Sequence, residues 1–285
     1  MEYLKRGLRT TVNSIKRHRL LFALIVILQI IFVVSSLALG TQYLFKILED
    51  AQGIIVPLEN ANYDSQKIEQ GESFTPDYAS IYNSYRSMLK NVFLFLAGLA
   101  VLFLSLNGSI WLLSHWMLQE RQLWRTRLKE GAQFLLKAWA AAFLLLGPFA
   151  IISYYVLLHF IRVSQSFTDI AIVLKSLLIA LFAVYYFFLV ALAVAPHKPW
   201  KKFALTWIEF SISRSQKMVI AFFLIAVALL ASFSVLYAAI EYGESVTLLL
   251  FLGLFCMVMI SVTRIFWIAA LQEIKTEKKD ETSHH

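Results

Sequence analysis

The chain has little of what a soluble protein is built from. Charged residues occupy 15% of its 285 positions, against about a quarter in a typical soluble domain, and beyond Asp77 the only aspartates are Asp169 and Asp280. A single cysteine, Cys256, excludes an intrachain disulfide and any cysteine-based metal site. It sits in the apolar run "LFCMVM" and reads as a small buried side chain. There is no G-x-S-x-G, no H-E-x-x-H, no glycine-rich phosphate loop and no D-x-D, so the usual nucleophile, zinc and phosphate signatures are missing. The histidines (His18, His115, His159, His197, His284, His285) have no second ligand at metal spacing apart from the terminal pair. His18, His115 and His197 read as residues of one interface and His159 as a residue of the other. The expectation is a protein without enzymatic activity, resident metal or cofactor.

What the chain does have is apolar length. Hydrophobic residues make up 59%, and the mean hydropathy is +0.68. Six runs, near 20–41, 90–117, 134–160, 170–195, 218–240 and 246–270, approach or exceed the roughly 20 residues that carry a helix across about 30 Å of hydrocarbon. The predicted fold is all-α: a six-span membrane bundle with amphipathic interfacial helices on the cytoplasmic side. Gly147-Pro148 falls inside the third run and predicts a kink, because proline lacks the N–H of one helical bond. The turn "EYGES" is short enough to force the last two runs into an antiparallel hairpin.

Net charge is +8, a value that can signal nucleic-acid binding, but the positions of the charges point to a membrane instead. Of 26 Lys and Arg, 20 fall in the N-terminal tail, between spans two and three, between spans four and five, and toward the C-terminus, counting Lys137 and Arg264 near the inner ends of their spans. Basic segments stay cytoplasmic, so both termini are expected inside a plasma (inner) membrane. The first opposite-side loop, 42–89, is acidic by contrast. The first span is expected to be retained, since its leader and apolar stretch are both long for a cleaved signal. The domain reading is a basic amphipathic segment 1–19, a membrane domain 20–275 with outside loop 42–89 and an inner interfacial helix about 199–214, and a charged tail 276–285.

Three inner segments combine basic and apolar residues. In 1–19, Leu4, Leu8, Val12 and Ile15 form an apolar stripe. In 121–133, Leu123, Trp124 and Leu128 sit among Arg and Lys. In "KPWKKFALTWIEFSISRSQK", Pro199 suits the first turn of a helix; Trp200, Phe203, Ala204, Trp207 and Ile208 then share one face, and Lys202, Thr206, Glu209 and Ser213 another. Each segment precedes an outward-going span, which suggests a threefold repeat of inner helix plus hairpin, with units beginning near 1, 121 and 199. Trp124, Trp200 and Trp207 are the expected interfacial anchors. Six spans, both ends inside, and "KPWKKFALTWIEFSISRSQKMVIAFFLI" leading into the fifth span resemble a broad group of prokaryotic six-span membrane proteins. That group includes the membrane domain attached to some bacterial glycerophosphodiester phosphodiesterases. The resemblance covers most of the chain as a pattern, implies the architecture and assigns no activity; the soluble phosphodiesterase domain has no counterpart here.

Polar groups within the spans supply the remaining candidates. Gln29 and Asn107 can hydrogen-bond across helices or line a polar path. Lys137 and Arg264 lie a turn or two inside the inner boundary, where either snorkelling to the headgroups or a shared cationic pocket for a lipid phosphate, together with Lys201 and Lys202, accounts for them. No carboxylate lies within the six apolar runs, which argues against proton-coupled transport. In the outside loop, Thr75, Pro76 and Asp77 start a helix whose Tyr78, Ile81, Tyr82, Tyr85 and Leu89 form a stripe. Tyr78, Tyr82 and Tyr85 are candidates for docking a protein. The stretch "NANYDSQKIEQGES" upstream reads as polar and mobile. The leading expectation is a non-catalytic subunit or accessory factor that binds a membrane protein partner. The alternative is a lipid or small-amphiphile transporter or binding protein using an inner cationic pocket. Membrane lipids, anionic at the cytoplasmic face, are expected partners under both, and nucleic acid is not.

Overall fold

The computed structural model describes residues 2–60, 78–119, 124–163, 167–197, 199–243 and 245–283. Among them every regular element is helical: α1 (Glu2–Arg17), α2 (Arg19–Asn60), α3 (Tyr78–Leu102), α4 (Gly108–Leu118), α5 (Trp124–Val163), α6 (Phe167–Val194), α7 (Trp200–Ile208), α8 (Ser215–Glu241) and α9 (Val246–Ser283). A π-turn at Phe103–Asn107 joins α3 to α4, another at Glu209–Ser213 follows α7, and a 3₁₀ turn at Ala195–His197 follows α6. Six stretches are long and apolar enough to cross a membrane: Arg19–Glu59, Tyr78–Leu118, Glu130–Val156, Ala171–Val194, Ser215–Glu241 and Val246–Thr276. The fold is therefore an all-helical, six-span bundle. Helix is the natural answer in hydrocarbon, because it satisfies its backbone N–H and C=O groups within the segment.

Several boundaries differ from those expected. The region 42–89 is not a loop at its ends: α2 continues to Asn60, and α3 begins at Tyr78. Polar residues on this extension do not stop the helix: Glu49 and Gln52 have good helical propensity and are exposed, and Asp50 is half-buried and accepts a hydrogen bond from Asn91 of α3. The stretch 61–77, with its expected mobile segment and its Thr75-Pro76-Asp77 start, lies outside the described residues. α5 runs unbroken from Trp124 through Pro148, so the basic segment before the third span is the first turns of that span and not a separate helix. The expected repeat thus has two detached amphipathic helices, α1 and α7, and one fused. The tail beyond 276 is likewise helical to Ser283.

The chain divides into two compact units, residues 1–29 with 108–285, and residues 30–107. In the smaller unit α2 and α3 run antiparallel. Asn91 Nδ2 donates to Asp50 Oδ2 at 2.7 Å, Tyr43 meets Phe95 with ring centroids 6.2 Å apart, and Phe32 meets Phe103 at 6.3 Å.

In the larger unit the hairpin of α8 and α9 turns at Gly243, whose φ of +65° only glycine adopts without strain. Tyr242 N–H donates back to Ala238 O at 3.0 Å and Gly243 N–H to Ile240 O at 3.2 Å, which closes the end of α8. Cys256 Sγ lies 3.5 Å from Ser232 O across this hairpin, buried as expected. α5 pairs with α6, and α1 lies along α9. The α1 contact is centred on Tyr3, Gly7 and Thr11, with Leu4 and Ile15 of the apolar stripe half-buried beside it. A Cβ on Gly7 would lie 3.2 Å from the Ala270 backbone, Tyr3 Oη donates to Lys217 O at 3.0 Å, and Thr11 Oγ1 donates to Gly7 O at 2.8 Å. Leu8 and Val12 are exposed. Small side chains win this face because they let two backbones approach closely.

Gly7→Leu is expected to weaken α1 docking by about 1–3 kcal/mol through overpacking. The measurement is hydrogen–deuterium exchange: amides 2–17 exchange faster while α8 and α9 are unchanged. Leu8→Ala, on the exposed face, leaves the same amides as protected as before.

Candidate functional site

The end of α6 organises the larger unit. Proline lacks an N–H, so Pro196 has nothing to return to the carbonyl of Leu192, four residues earlier, and Pro199 has nothing for Ala195. Both carbonyls are taken by side chains from other helices. His115 Nε2, on α4, donates to Leu192 O at 3.0 Å, which assigns the Nε2–H form of the ring. Lys137 Nζ, on α5, donates to Ala195 O at 2.9 Å and lies 5.9 Å from the Phe203 ring centroid. Two more donors reach the same stretch of α6. Trp207 Nε1 donates to Phe187 O at 2.9 Å, and Trp267 Nε1 to Leu189 O at 3.2 Å.

These contacts bear on three expectations. Lys137 is 1% exposed, so it does not snorkel; it caps a helix end. His115 is fully buried, packed within the bundle and not solvated. Trp207 is a half-buried tie to α6, stacked on Phe203 at 5.9 Å, and not a free anchor. On α7 the buried residues are Phe203, from the expected apolar face, and Thr206, from the opposite one, while Leu205 and Ile208 are exposed, so only part of the expected face meets the bundle. Trp200 is exposed, as an anchor requires, and the side chain of Trp124 lies outside the described residues.

Arg264 has a different setting. It too is withdrawn, at 8% exposure, and its Nη2 donates to Gln29 Oε1 on α2 at 2.9 Å, across 235 residues of sequence. Its guanidinium lies over Trp111 of α4, 5.5 Å from the ring centroid. Placing an arginine at mid-helix in a bilayer costs about 2.5–3.5 kcal/mol on insertion scales. An interhelical hydrogen bond of about 0.6–2 kcal/mol and a desolvated cation–π contact of about 2 kcal/mol offset most of it.

Arg264 also lines a half-open groove of about 250 Å³ between α6, α8 and α9. Its floor includes Trp111 and Trp267, and its rim includes Phe182, Leu230 and Phe233, which are exposed. Tyr186, Phe222 and Trp267 meet edge to face at the Arg264 end, with centroids 5.7 to 6.4 Å apart. Arg264 is the one charged side chain among the described lining residues.

The structure thus joins Gln29 to Arg264 and keeps the other cations apart. Lys137, Lys201 and Lys202 do not line the groove, and Lys201 and Lys202 are exposed on α7; a shared cationic pocket is not formed. Asn107 is buried at the end of its π-turn in the smaller unit. Tyr78, Tyr82 and Tyr85 are exposed on α3 at 64%, 63% and 48%. Sequence reasoning missed Trp111, Tyr185, Phe222 and Trp267 as groove residues. The spacing of Phe182, Tyr185 and Leu189 on one face of α6 was the available signal, and a demand for donors four residues before each proline would have pointed to His115.

Replacing His115 with Leu withdraws a buried donor and is expected to cost about 1–3 kcal/mol, read as a lower unfolding temperature in detergent. In a Pro196→Ala background, where a backbone N–H is restored, the cost should shrink. Equal costs in both backgrounds would show that the proline is not what makes His115 necessary. Compared with protein-family models, with curated proteins and with solved structures, the chain matches none.

Proposed function

We propose that the protein is a non-catalytic, multi-pass membrane protein that binds the apolar part of a lipid or similar amphiphile in the groove between α6, α8 and α9. The observation that carries this reading is the groove itself. It is walled by aromatic and branched side chains, it is open on one side, and its described lining holds no carboxylate, histidine or thiol for acid–base or nucleophilic work. Pockets for small ligands typically span about 300–1,000 Å³; at about 250 Å³ this one suits one segment of a larger ligand whose remainder lies in the bilayer. Both termini lie in the cytoplasm on this reading, which is supported by the 18 Lys and Arg gathered in the four inner segments, Lys137 and Arg264 within the spans being left out. On that side the exposed Lys201 and Lys202, on a helix that also exposes Leu205 and Ile208, favour contact with anionic headgroups, each worth about 1 kcal/mol near the surface.

Native mass spectrometry after gentle extraction tests the reading. The expected mass is the 32.7 kDa chain plus one amphiphile, and Ala226→Trp, which fills the groove from α8, is expected to lose that added mass while the protein stays folded. Retention of the same ligand by this variant removes the groove from consideration.

A docking role for the smaller unit has its own support in the exposed row Tyr78, Tyr82 and Tyr85, a residue type enriched at interfaces. If the chain serves as a subunit through this face, a second polypeptide co-purifies in mild detergent and the triple change to alanine releases it. Undiminished co-purification places the contact elsewhere.

A further inference from the structure

The groove is polar at one end only, and that asymmetry names its occupant. The α8–α9 hairpin sets the register: Ser232 lies opposite Cys256, and Phe222 lies opposite Trp267, with centroids 6.2 Å apart. Arg264 is therefore level with the Phe222 end of the groove, near Leu189 of α6, whose carbonyl Trp267 holds. From there the lining runs along α8 to Phe233 and along α6 back to Phe182, and the only charge on that path is the starting one. Phe222 and Phe233 are eleven residues apart, about 16 Å at a rise of about 1.5 Å per residue. That is half of a hydrocarbon core about 30 Å thick, the depth one acyl chain occupies in one leaflet. The volume points the same way, since about 250 Å³ is less than twice the ~150 Å³ apolar cavity that holds a single benzene ring. A segment of one chain fits, with the rest in the bilayer, and two chains side by side do not.

We infer that the groove takes a single-chain amphiphile with a terminal carboxylate or phosphate monoester, its tail laid from Phe222 toward Phe233 and its anionic head on the Arg264 guanidinium. The inference rests on the groove being a binding site, as proposed above, and adds the charge, the chain count and the direction. Gln29 and Trp111 fix the plane of the guanidinium, and a fixed planar fork is the geometry that recognises a carboxylate or phosphate through paired hydrogen bonds. Arg264 lies within the candidate span Val246–Thr276, so the head is drawn below the headgroup layer, where water competes less for the pair. A neutral chain of equal length gains the apolar contacts and not the head contact.

The test uses the full-length protein in phosphatidylcholine nanodiscs and three probes with the same sixteen-carbon chain: palmitate, hexadecyl phosphate and hexadecanol. Displacement of a brominated fatty acid that quenches tryptophan fluorescence reports binding, because Trp111 and Trp267 both line the groove. A charge-assisted hydrogen bond corresponds to a factor of roughly ten to a hundred in affinity. Palmitate, hexadecyl phosphate or both should therefore bind at least about tenfold more tightly than hexadecanol, and which anion binds better tells the two head chemistries apart. Arg264→Gln should lower the anion to the level of the alcohol and leave the alcohol unchanged, while Arg264→Lys retains part of the preference. Equal binding of acid and alcohol to the unaltered protein overturns the inference without needing a variant that folds, and so does an Arg264→Gln protein that keeps the preference. Those results leave the groove reading intact if Ala226→Trp still abolishes binding of all three probes. If Ala226→Trp changes nothing, the groove reading falls, and this inference falls with it.

Discussion

A carbonyl oxygen buried among apolar side chains has no water to turn to, and the larger unit is arranged around meeting that demand at the end of α6. Pro196 and Pro199 remove the backbone donors that would have served Leu192 and Ala195, and His115 and Lys137 are drawn into the bundle to replace them. Trp267 and Trp207 donate to the carbonyls of Leu189 and Phe187, about a turn to a turn and a half before Leu192. Four helices besides α6 are thereby tied to one short stretch of backbone. In water such bonds contribute modestly because the solvent offers an equivalent; in a bilayer an unmet carbonyl costs several kcal/mol. A broken helix end, a defect in most contexts, becomes the point where the packing of α4, α5, α7 and α9 is specified.

The groove is a consequence of that arrangement. Trp267 is held by Leu189 O, and it lines one end of the space between α6, α8 and α9 edge to face with Phe222, with Tyr186 packed against both rings. Arg264 enters at the same end three residues before Trp267, one turn of α9 away. Its charge is tolerated because Gln29 and Trp111 meet it. A lysine in the same chain, Lys137, is buried even more completely and donates to a helix-end carbonyl. Two buried cations of similar placement in sequence thus have different roles, decided by what the neighbouring helix presents: a freed carbonyl in one case, an apolar groove in the other.

The amphipathic helices show why polarity patterns mislead at a membrane. On α1 the apolar stripe of Leu8 and Val12 is exposed while Gly7 and Thr11 are buried. On α7, Thr206 is buried beside Phe203 while Ile208 is exposed. A sequence pattern identifies a hydrophobic face, and in a soluble protein that face turns inward. Where lipid is the solvent, leucine gains nothing by leaving it, and close approach of small or hydrogen-bonding residues decides which face meets the bundle. The periodicity of 1–19 and 199–214 was therefore legible as helix, while its orientation was not.

The sequence by itself determined that the chain is helical, that six stretches suit a bilayer, and that the α8–α9 connection is a tight hairpin. These depend on length, hydropathy and one glycine, all local quantities. Its reach at helix ends was weaker, since α2 continues through Glu49 and Asp50 to Asn60, and α9 continues past Thr276. The tertiary structure alone decided that Gln29 meets Arg264 across 235 residues, that Lys137 and Arg264 occupy separate sites, and that aromatic residues of α4, α6, α8 and α9 enclose one groove. Those pairings depend on which helices become neighbours, and hydropathy cannot encode that choice because every span is equally soluble in lipid.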